Sequence, residues 1–192
     1  MTRLVCLLGS PRKDGNSDLL ARRFCNTAKA EGAAVRTHSL RDLRFQGCMN
    51  VLFCKIGGER CGLDDDMLPV LADLSEADVL VIATPVYFCN MTGLMKQAMD
   101  RFFSFLKPDY MTAEEPSRLG RGKRLILLQT QGEPEDHCRD LLSTYGPALD
   151  QLGFERRDCL RACGMRAAGD VLRQKALMEE TDALAREVAL GQ

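Results

Sequence analysis

The sequence of this 192-residue chain lacks several features that would each indicate a class of function. No apolar run approaches the roughly 20 residues that a membrane-spanning helix needs. The formal net charge is only −1, so nothing attracts the chain generally to nucleic acid or to an anionic membrane. The first apolar run is too short for a signal peptide, which leads us to expect a cytoplasmic protein. There are two histidines, His38 and His137, and we expect both at the surface.

Cysteine, in contrast, is abundant, with nine residues. Without an export signal, this number argues against a disulfide framework. We therefore expect most of the cysteines to be reduced and many to be buried. Cys6, Cys25 and Cys89 fall within or beside predicted elements, where a small apolar packing role is usual.

Apolar, β-branched runs alternate with helical patterns along the whole chain. This alternation predicts an α/β fold of three layers, in which helices cover both faces of a parallel sheet. A single domain over residues 1–192 with a doubly wound five-stranded sheet in the order 2-1-3-4-5 fits the pattern, and it would bind its ligand at the carboxyl ends of strands one and three. The predicted strands are 4–8, 34–40, 79–84, 124–130 and, as an edge strand, 154–162; the predicted helices are 17–31, 67–76, 92–106, 135–152 and 170–190.

Two connections are unusually long for a compact domain. Residues 41–66 form an inserted, cysteine-containing loop with little periodicity, and residues 107–122 form a polar one. Compact domains rarely keep loops of this length without a use.

The loop between the first strand and the first helix, residues 9–17, is the strongest functional signal. A buried strand that leads through a Gly/Ser/Asn loop into a helix N-terminus provides backbone N–H groups and a dipole for an anion. Its side-chain donors are neutral at Ser10, Asn16 and Ser17 and charged at Arg12. Lys13 precedes the second glycine, so the loop is not a nucleotide-hydrolysing P-loop, and it also lacks the G-x-G-x-x-G dinucleotide pattern. It suits a terminal phosphomonoester such as that of FMN, or an ordinary connection with an N-cap at Asn16 or Ser17.

Two further loops leave the same edge of the predicted sheet. Residues 84–93 follow the third strand and bring two aromatic side chains, Tyr87 and Phe88, together with polar donors. Residues 129–134 follow the fourth strand and are small and polar. A flat aromatic ligand is typically held between such walls, so the three loops together favour a flavin over separate packing roles.

The residues of these loops resemble those of the NADPH-dependent FMN reductase group of flavodoxin-like proteins, and more narrowly its iron-sulfur flavoprotein branch. The resemblance rests on Gly9-Ser10-Pro11-Arg12 with Gly15-Asn16-Ser17, on Thr84-Pro85-Val86-Tyr87-Phe88, and on Lys96 with Asp100-Arg101, and it covers residues 3 to about 165. It implies an FMN phosphate held by Ser10, Arg12, Gly15, Asn16 and Ser17. It also implies an isoalloxazine lined by Thr84, Pro85, Val86, Tyr87, Phe88 and Asn90, with Thr130, Gln131 and Gly132 on the far side. Lys96, Asp100 and Arg101 would be structural, with Lys96 and Asp100 spaced for an i,i+4 ion pair.

In the iron-sulfur branch the long loop carries four cysteines, spaced C-x2-C-x2-C-x4–7-C, that bind a [4Fe–4S] cluster. Here Cys48, Cys54 and Cys61 occupy the first, third and fourth positions, but Val51 stands at the second and cannot ligate iron. Three interpretations follow: a loop that has lost its cluster, a three-cysteine cluster with another ligand, or a site for zinc or thiol redox chemistry. Cys159 and Cys163 could in principle lend a thiolate.

The resemblance predicts an FMN-dependent NAD(P)H oxidoreductase that passes electrons to a small acceptor, such as a quinone, free flavin, or an azo or nitro compound. The cofactor supplies the chemistry, so no catalytic side chain is required, although Tyr87 is a candidate proton donor as well as a stacking wall. One alternative is an iron-sulfur flavoprotein or flavodoxin-like electron carrier between protein partners, although such carriers are usually strongly acidic. Another is a redox sensor that uses Cys48, Cys54 and Cys61.

The predicted helix 92–106 is rich in apolar residues. It carries more apolar surface than one sheet face needs, which predicts a homodimer, or a dimer of dimers, that buries this helix beside the flavin.

Overall fold

The computed structural model describes residues 1–192 and contains one sheet of five parallel strands in the order β2-β1-β3-β4-β5. This confirms the predicted doubly wound, flavodoxin-like topology with β2 and β5 at the edges. The strands are β1 (Arg3–Leu8), β2 (Ala34–Ser39), β3 (Val79–Pro85), β4 (Lys123–Thr130) and β5 (Phe154–Ala162).

Helices cover both faces of the sheet. The α-helices are α1 (Asn16–Ala30), α2 (Phe53–Ile56), α3 (Met67–Glu76), α4 (Gly93–Asp100), α5 (Leu141–Thr144), α6 (Gly146–Leu152) and α7 (Lys175–Ala189). Short 3-10 turns span Leu40–Asp42, Arg101–Phe105 and Asp170–Arg173. None of the helices combines the length and the apolar character that a membrane crossing requires.

Alternate residues of the central strands supply two separate cores. In β1, Leu4 and Cys6 pack in the core beneath α1 and α7, whereas Val5 and Leu7 pack in the core beneath α3, α4 and α6. Because both faces are covered, β1 and β3 are nearly continuous apolar runs rather than alternating ones. Because all five strands are parallel, their carboxyl ends lie at one edge of the sheet, where the loops predicted to bind a ligand meet.

Three predicted helices differ from the observed ones. The helix predicted over 92–106 is α-helical only to Asp100 and continues as a 3-10 turn. The helix predicted over 135–152 begins only at Leu141 and is interrupted before Gly146, and the last predicted helix opens with a 3-10 turn. Period-3.6 patterns do not separate α from 3-10 geometry, and such turns commonly flank α-helices.

The tighter 3-10 turn after α4 changes the argument for a dimer. It directs Phe102 and Phe105 into the core, where they are 2% and 7% exposed, and Leu106 is buried with them. Most of the apolar surface on which the dimer prediction depended is thus covered within the chain.

The two histidines differ in environment. His137 is exposed, as predicted, but His38 is half-buried, and its Nε2 lies 2.9 Å from Asp73 Oδ2. The prediction of a surface position for His38 is therefore wrong. Its place on an edge strand lets α3 cover it.

Candidate functional site

An open cleft lies at the carboxyl ends of β1, β3 and β4 and has a cavity volume of about 180 Å³. Its lining comprises Ser10, Arg12, Lys13, Gly15, Asn16, Ser17, Pro85, Val86, Tyr87, Thr130, Gln131, Gly132, Met165, Arg166, Ala167 and Ala168. All three predicted loops therefore contribute to one cleft.

The first turn of α1 carries unsatisfied donors that face this cleft. Gly15 is the N-cap and provides no side-chain cap, so neither Asn16 nor Ser17 caps the helix. The Ser17 hydroxyl is buried at 1% exposure and has no hydrogen-bond partner. A side chain at Gly15 would place its Cβ 3.1 Å from Ser10 Oγ and narrow the same space. An uncapped helix N-terminus beside an orphaned hydroxyl is suited to a phosphate group.

The loop before α1 is held by its own side chains and by its neighbours. Ser10 Oγ accepts from the Arg12 amide at 3.1 Å and donates to the Arg12 carbonyl at 2.9 Å. Thr92 Oγ1 donates to the Gly9 carbonyl at 2.6 Å, which connects the loop to the start of α4. A Cβ at Gly9 would lie 2.8–2.9 Å from the Met95 side chain, so only glycine allows this close approach. The Ser10 hydroxyl is thus already engaged in shaping the loop.

Arg41 also holds this loop in place, a role that the sequence did not indicate. Its guanidinium lies 2.8 Å from Asp18 Oδ2 and donates to the Ser10 carbonyl at 3.1 Å. Burial raises the pKa of Asp18, and the nearby Arg41 charge opposes that shift. Arg41 therefore joins the end of the β2 connection, the loop and the first turn of α1 into one unit.

The fourth wall, residues 165–168, was also missed. The Asn16 side chain donates to the Ala167 carbonyl at 2.8 Å and accepts from the Val171 amide at 3.2 Å. The Asn16 side chain thus holds residues 167–171 against the first turn of α1. Because all parallel strands end at one edge, the segment after β5 could have been anticipated from the topology alone.

The loop after β3 makes a tight two-residue turn. Tyr87 and Asn90 pair through backbone hydrogen bonds of 2.8 and 3.0 Å, and the residues between them have positive φ angles, 52° at Phe88 and 56° at Cys89. Left-handed backbone costs a non-glycine residue about 1–2 kcal/mol. Pro85, Val86 and Tyr87 line the cleft, whereas Phe88 stands fully exposed at the tip of the turn.

Two other predicted ligand-binding residues of this loop are absent from the cleft lining. Thr84 is completely buried, and its Oγ1 donates to the Pro85 carbonyl and accepts from the Thr92 amide. Asn90 Oδ1 accepts from the Met91 amide and from the Tyr145 hydroxyl, each at 2.8 Å. Both side chains position the loop. Phe88 also lies outside the lining, although its exposed ring is free to cover a bound ligand.

The loop after β4 is fixed by two glutamine side chains. Gln131 Nε2 donates to the Pro134 carbonyl at 2.9 Å and to the His137 carbonyl at 3.1 Å. Gln129 Nε2, which is buried, donates to the Cys138 carbonyl at 3.1 Å. The Thr130 carbonyl accepts from the Val86 amide at 2.8 Å, so the second and third loops are joined directly beside the cleft.

Cys89 does not play the packing role predicted for it. It is exposed and forms a disulfide with Cys138, across the loops that follow β3 and β4. The other seven cysteines are free, which agrees with the expectation that most are reduced.

The charge around the cleft is positive. Arg12, Lys13 and Arg166 are among its lining residues, and no aspartate or glutamate is. This favours an anionic ligand.

The cysteine-containing loop is organised around Arg101, whose side chain is completely buried. Its Nε donates to Cys61 Sγ at 3.1 Å, and its two terminal nitrogens reach Asp65 Oδ2 at 2.7 Å and the Gln46 and Leu63 carbonyls at 2.9 and 3.2 Å. The structural role predicted for Arg101 is confirmed, as is the ion pair of Lys96 with Asp100.

Cys48, Cys54 and Cys61 line one small cavity together with Val51. No group of three or more His, Cys, Asp or Glu side chains is arranged to hold a metal ion. Cys159 and Cys163 do not line this cavity, and burial raises the pKa of both, that of Cys159 to about 11. The donor set therefore does not fit a four-thiolate cluster.

Comparison with known proteins is consistent with this site. The model of the family described as NADPH-dependent FMN reductase matches residues 2–142. An iron-sulfur flavoprotein of Methanocaldococcus jannaschii is 34% identical over 99 residues, which is 52% of this chain and 51% of that protein. One from Archaeoglobus fulgidus is 27% identical over 158 residues, or 79% of this chain and 68% of the other. The chain spans about half the length of several of the curated relatives that it matches.

Solved structures show the same fold. An FMN-dependent NADH-azoreductase from Bacillus anthracis, in complex with FMN, superposes with a TM-score of 0.75 at 20% identity, covering 98% of this chain and 100% of that one. An NAD(P)H:quinone oxidoreductase from Methanothermobacter marburgensis gives a TM-score of 0.72 at 16% identity, covering 97% and 96% of the two chains.

Proposed function

The chain belongs to the NADPH-dependent FMN reductase family, and from this premise we propose that it oxidises NAD(P)H and passes the electrons through bound FMN to a small acceptor. Quinones, free flavin, azo compounds and nitro compounds are the acceptor classes that we propose. The observation that carries the proposal is the first turn of α1, where the buried Ser17 hydroxyl and the uncapped helix N-terminus lie unsatisfied beside a cleft without carboxylates.

The FMN phosphate would bind at this turn. The free backbone N–H groups of α1 and the Ser17 hydroxyl would donate to it, and Arg12 and Arg166 would add positive charge from two different loops. Ser10, Gly15 and Asn16 contribute through loop shape and through the backbone. Arg41 keeps the loop in place.

The isoalloxazine would lie between the second and third loops. Pro85, Val86 and Tyr87 form one wall and Thr130, Gln131 and Gly132 the other. When bound, FMN supplies the two-electron chemistry between nicotinamide and acceptor. The protein orients the ring and restricts water, and the exposed ring of Phe88 is free to cover the outer face.

Tyr87 carries the one phenolic hydroxyl of the lining, which holds no Asp, Glu, His or Cys. We propose it first as a stacking wall and second as a proton donor to the acceptor. In either role the reaction does not require a cluster in the cysteine loop.

An electron carrier between protein partners is the alternative that the iron-sulfur relatives favour. The formal net charge of −1 and the positive cleft argue against it, because carriers that dock through acidic faces need excess negative charge. The two functions differ in whether the protein alone turns over NAD(P)H with a small acceptor.

We expect protein purified anaerobically to show the two absorption bands of oxidised flavin, with substoichiometric iron and acid-labile sulfide. With NADPH and a benzoquinone it should turn over repeatedly without a second protein. Stoichiometric iron and sulfide, with turnover only through a protein partner, would favour the carrier. Colourless protein that takes up no added FMN would exclude both.

The homodimer stays a prediction. The apolar side chains of residues 92–106, on which this prediction was based, are largely buried within the chain. Met49, Val51, Ile56 and Phe88, however, are exposed apolar side chains that a partner copy could cover. Light scattering at micromolar concentration should give twice the chain mass, and a monomeric mass would contradict it.

A further inference from the structure

The disulfide between Cys89 and Cys138 lies where the cleft is built. Cys89 follows Tyr87, which lines the cleft, by two residues, and Cys138 follows the lining residues of the β4 loop by six or more. The Cα atoms are 5.2 Å apart although 49 residues separate the two cysteines in sequence. The cross-link therefore joins two walls of one site.

Both half-cystines occupy strained backbone. The φ angle is 56° at Cys89, 52° at the preceding Phe88 and 50° at Cys138, and none of these residues is a glycine or an asparagine. Such conformations persist where the surroundings over-determine them. Here the surroundings are the disulfide, the hydrogen bond from Tyr145 to Asn90 and the Gln129 contact to the Cys138 carbonyl.

The disulfide is also accessible. Cys89 is exposed and Cys138 is half-buried, and exposed disulfides are typically the reducible ones. A disulfide framework that stabilises a fold pairs most of the cysteines in the chain. Here seven cysteines are free thiols, so the single disulfide is not such a framework.

We propose that Cys89–Cys138 is a redox-active disulfide that small thiols reduce, and that its reduction releases the turn at residues 87–90 from the wall of the cleft. A thiolate attacks the more exposed Cys89 sulfur and forms a mixed disulfide, while the Cys138 sulfur leaves as a thiolate. A second thiol then resolves the mixed disulfide. Two thiols are thereby oxidised to one disulfide, and the protein gains two electrons and two protons.

The first test is thiol labelling of the folded protein in buffers of reduced and oxidised glutathione, with mass spectrometry to locate the label. Cys89 and Cys138 should become labelled together as the buffer becomes reducing, while Cys6 and Cys25 stay protected. Labelling of the pair only after unfolding would overturn the proposal, because the disulfide would then be structural. Labelling of both in air-oxidised protein would overturn it as well.

The second test is hydrogen exchange of the Tyr87 and Asn90 amides, which the turn protects. We expect exchange at least tenfold faster in reduced protein and in the double variant Cys89→Ser/Cys138→Ser, which cannot form the bond. Cys48→Ser removes another exposed thiol and should exchange as the oxidised protein does. Unchanged exchange after reduction would show that the disulfide does not hold the turn.

One consequence rests on the proposed function: release of the Tyr87 wall should weaken FMN binding by about tenfold. Titration of FMN into oxidised and reduced protein measures this. Equal affinities would overturn the link to the cleft. If neither form binds FMN, the proposed function fails, whereas labelling and exchange still decide the redox-active disulfide.

Discussion

Replacement of Ser17 with aspartate should leave the protein folded and raise its Kd for FMN by about a thousandfold. The new carboxylate would occupy the anion site at the first turn of α1 and repel the FMN phosphate. Two unit charges 4 Å apart interact by about 4 kcal/mol at an effective dielectric constant of 20, which corresponds to roughly this factor. Fluorescence quenching of FMN titrated into the apoprotein measures the affinity.

Ser17→Ala is the matched control for this variant. It removes one donor to a charged group, so a loss of about 1.5–3 kcal/mol, or roughly ten- to a hundredfold, is expected. Circular dichroism of the aspartate variant without FMN should show that it keeps the wild-type fold. Unaltered FMN affinity in Ser17→Asp would place the phosphate elsewhere.

Arg101→Met should lower the free energy of unfolding by about 4 kcal/mol, within the range for breaking a buried ion pair. The substitution leaves Asp65 without its cation and the Gln46 and Leu63 carbonyls without their donor. Urea unfolding followed by circular dichroism measures the change. Lys96→Ala, which breaks an exposed ion pair one turn earlier, should change stability by no more than about 0.5 kcal/mol. Equal effects of the two variants would mean that the Arg101 contacts do not stabilise the fold.

The same variant should alter the acid dependence of stability. Burial raises the pKa of Asp65, but hydrogen bonds from Arg101 and from the Gln46 and Met67 amides outweigh it, so the pKa lies below the ordinary value of 3.8. A carboxyl group with a depressed pKa stabilises the fold above its unfolded pKa, and this contribution is lost as pH falls through the folded pKa. Arg101→Met should therefore lose less stability between neutral pH and pH 3 than the wild type does. An equal loss in the two proteins would show that the amides, not Arg101, depress the pKa.

The central strands β1, β3 and β4 could be predicted from sequence because they are largely apolar runs with turn residues at their ends. The first loop could be predicted for a similar reason, since Gly15, Asn16 and Ser17 are adjacent in the chain and begin a helix. What each polar side chain does there could not, because Asn16 bonds residues more than 150 positions away and Asn90 bonds Tyr145. Such contacts depend on tertiary packing that local patterns do not encode.

The residues missed by sequence reasoning illustrate the same limit. Arg41 lies in an irregular stretch with no motif, and its role arises only because β2 ends next to the loop before α1. The pairing of Cys89 with Cys138 depends on the proximity of two loops. The number of cysteines in the sequence predicted only that most of the nine are reduced, and not which two would pair. Arg101 was recognised as structural, but its partners are scattered over the 41–66 insertion.

Arg101 also bears on how that insertion comes to be folded. Four points between residues 46 and 65 converge on one side chain that is synthesised as part of the chain. A loop arranged around an inorganic cluster must wait for iron and sulfide to be delivered before it reaches its final shape. A guanidinium needs no such delivery, so we expect the contacts of Arg101 to shape the insertion as soon as the polypeptide is complete.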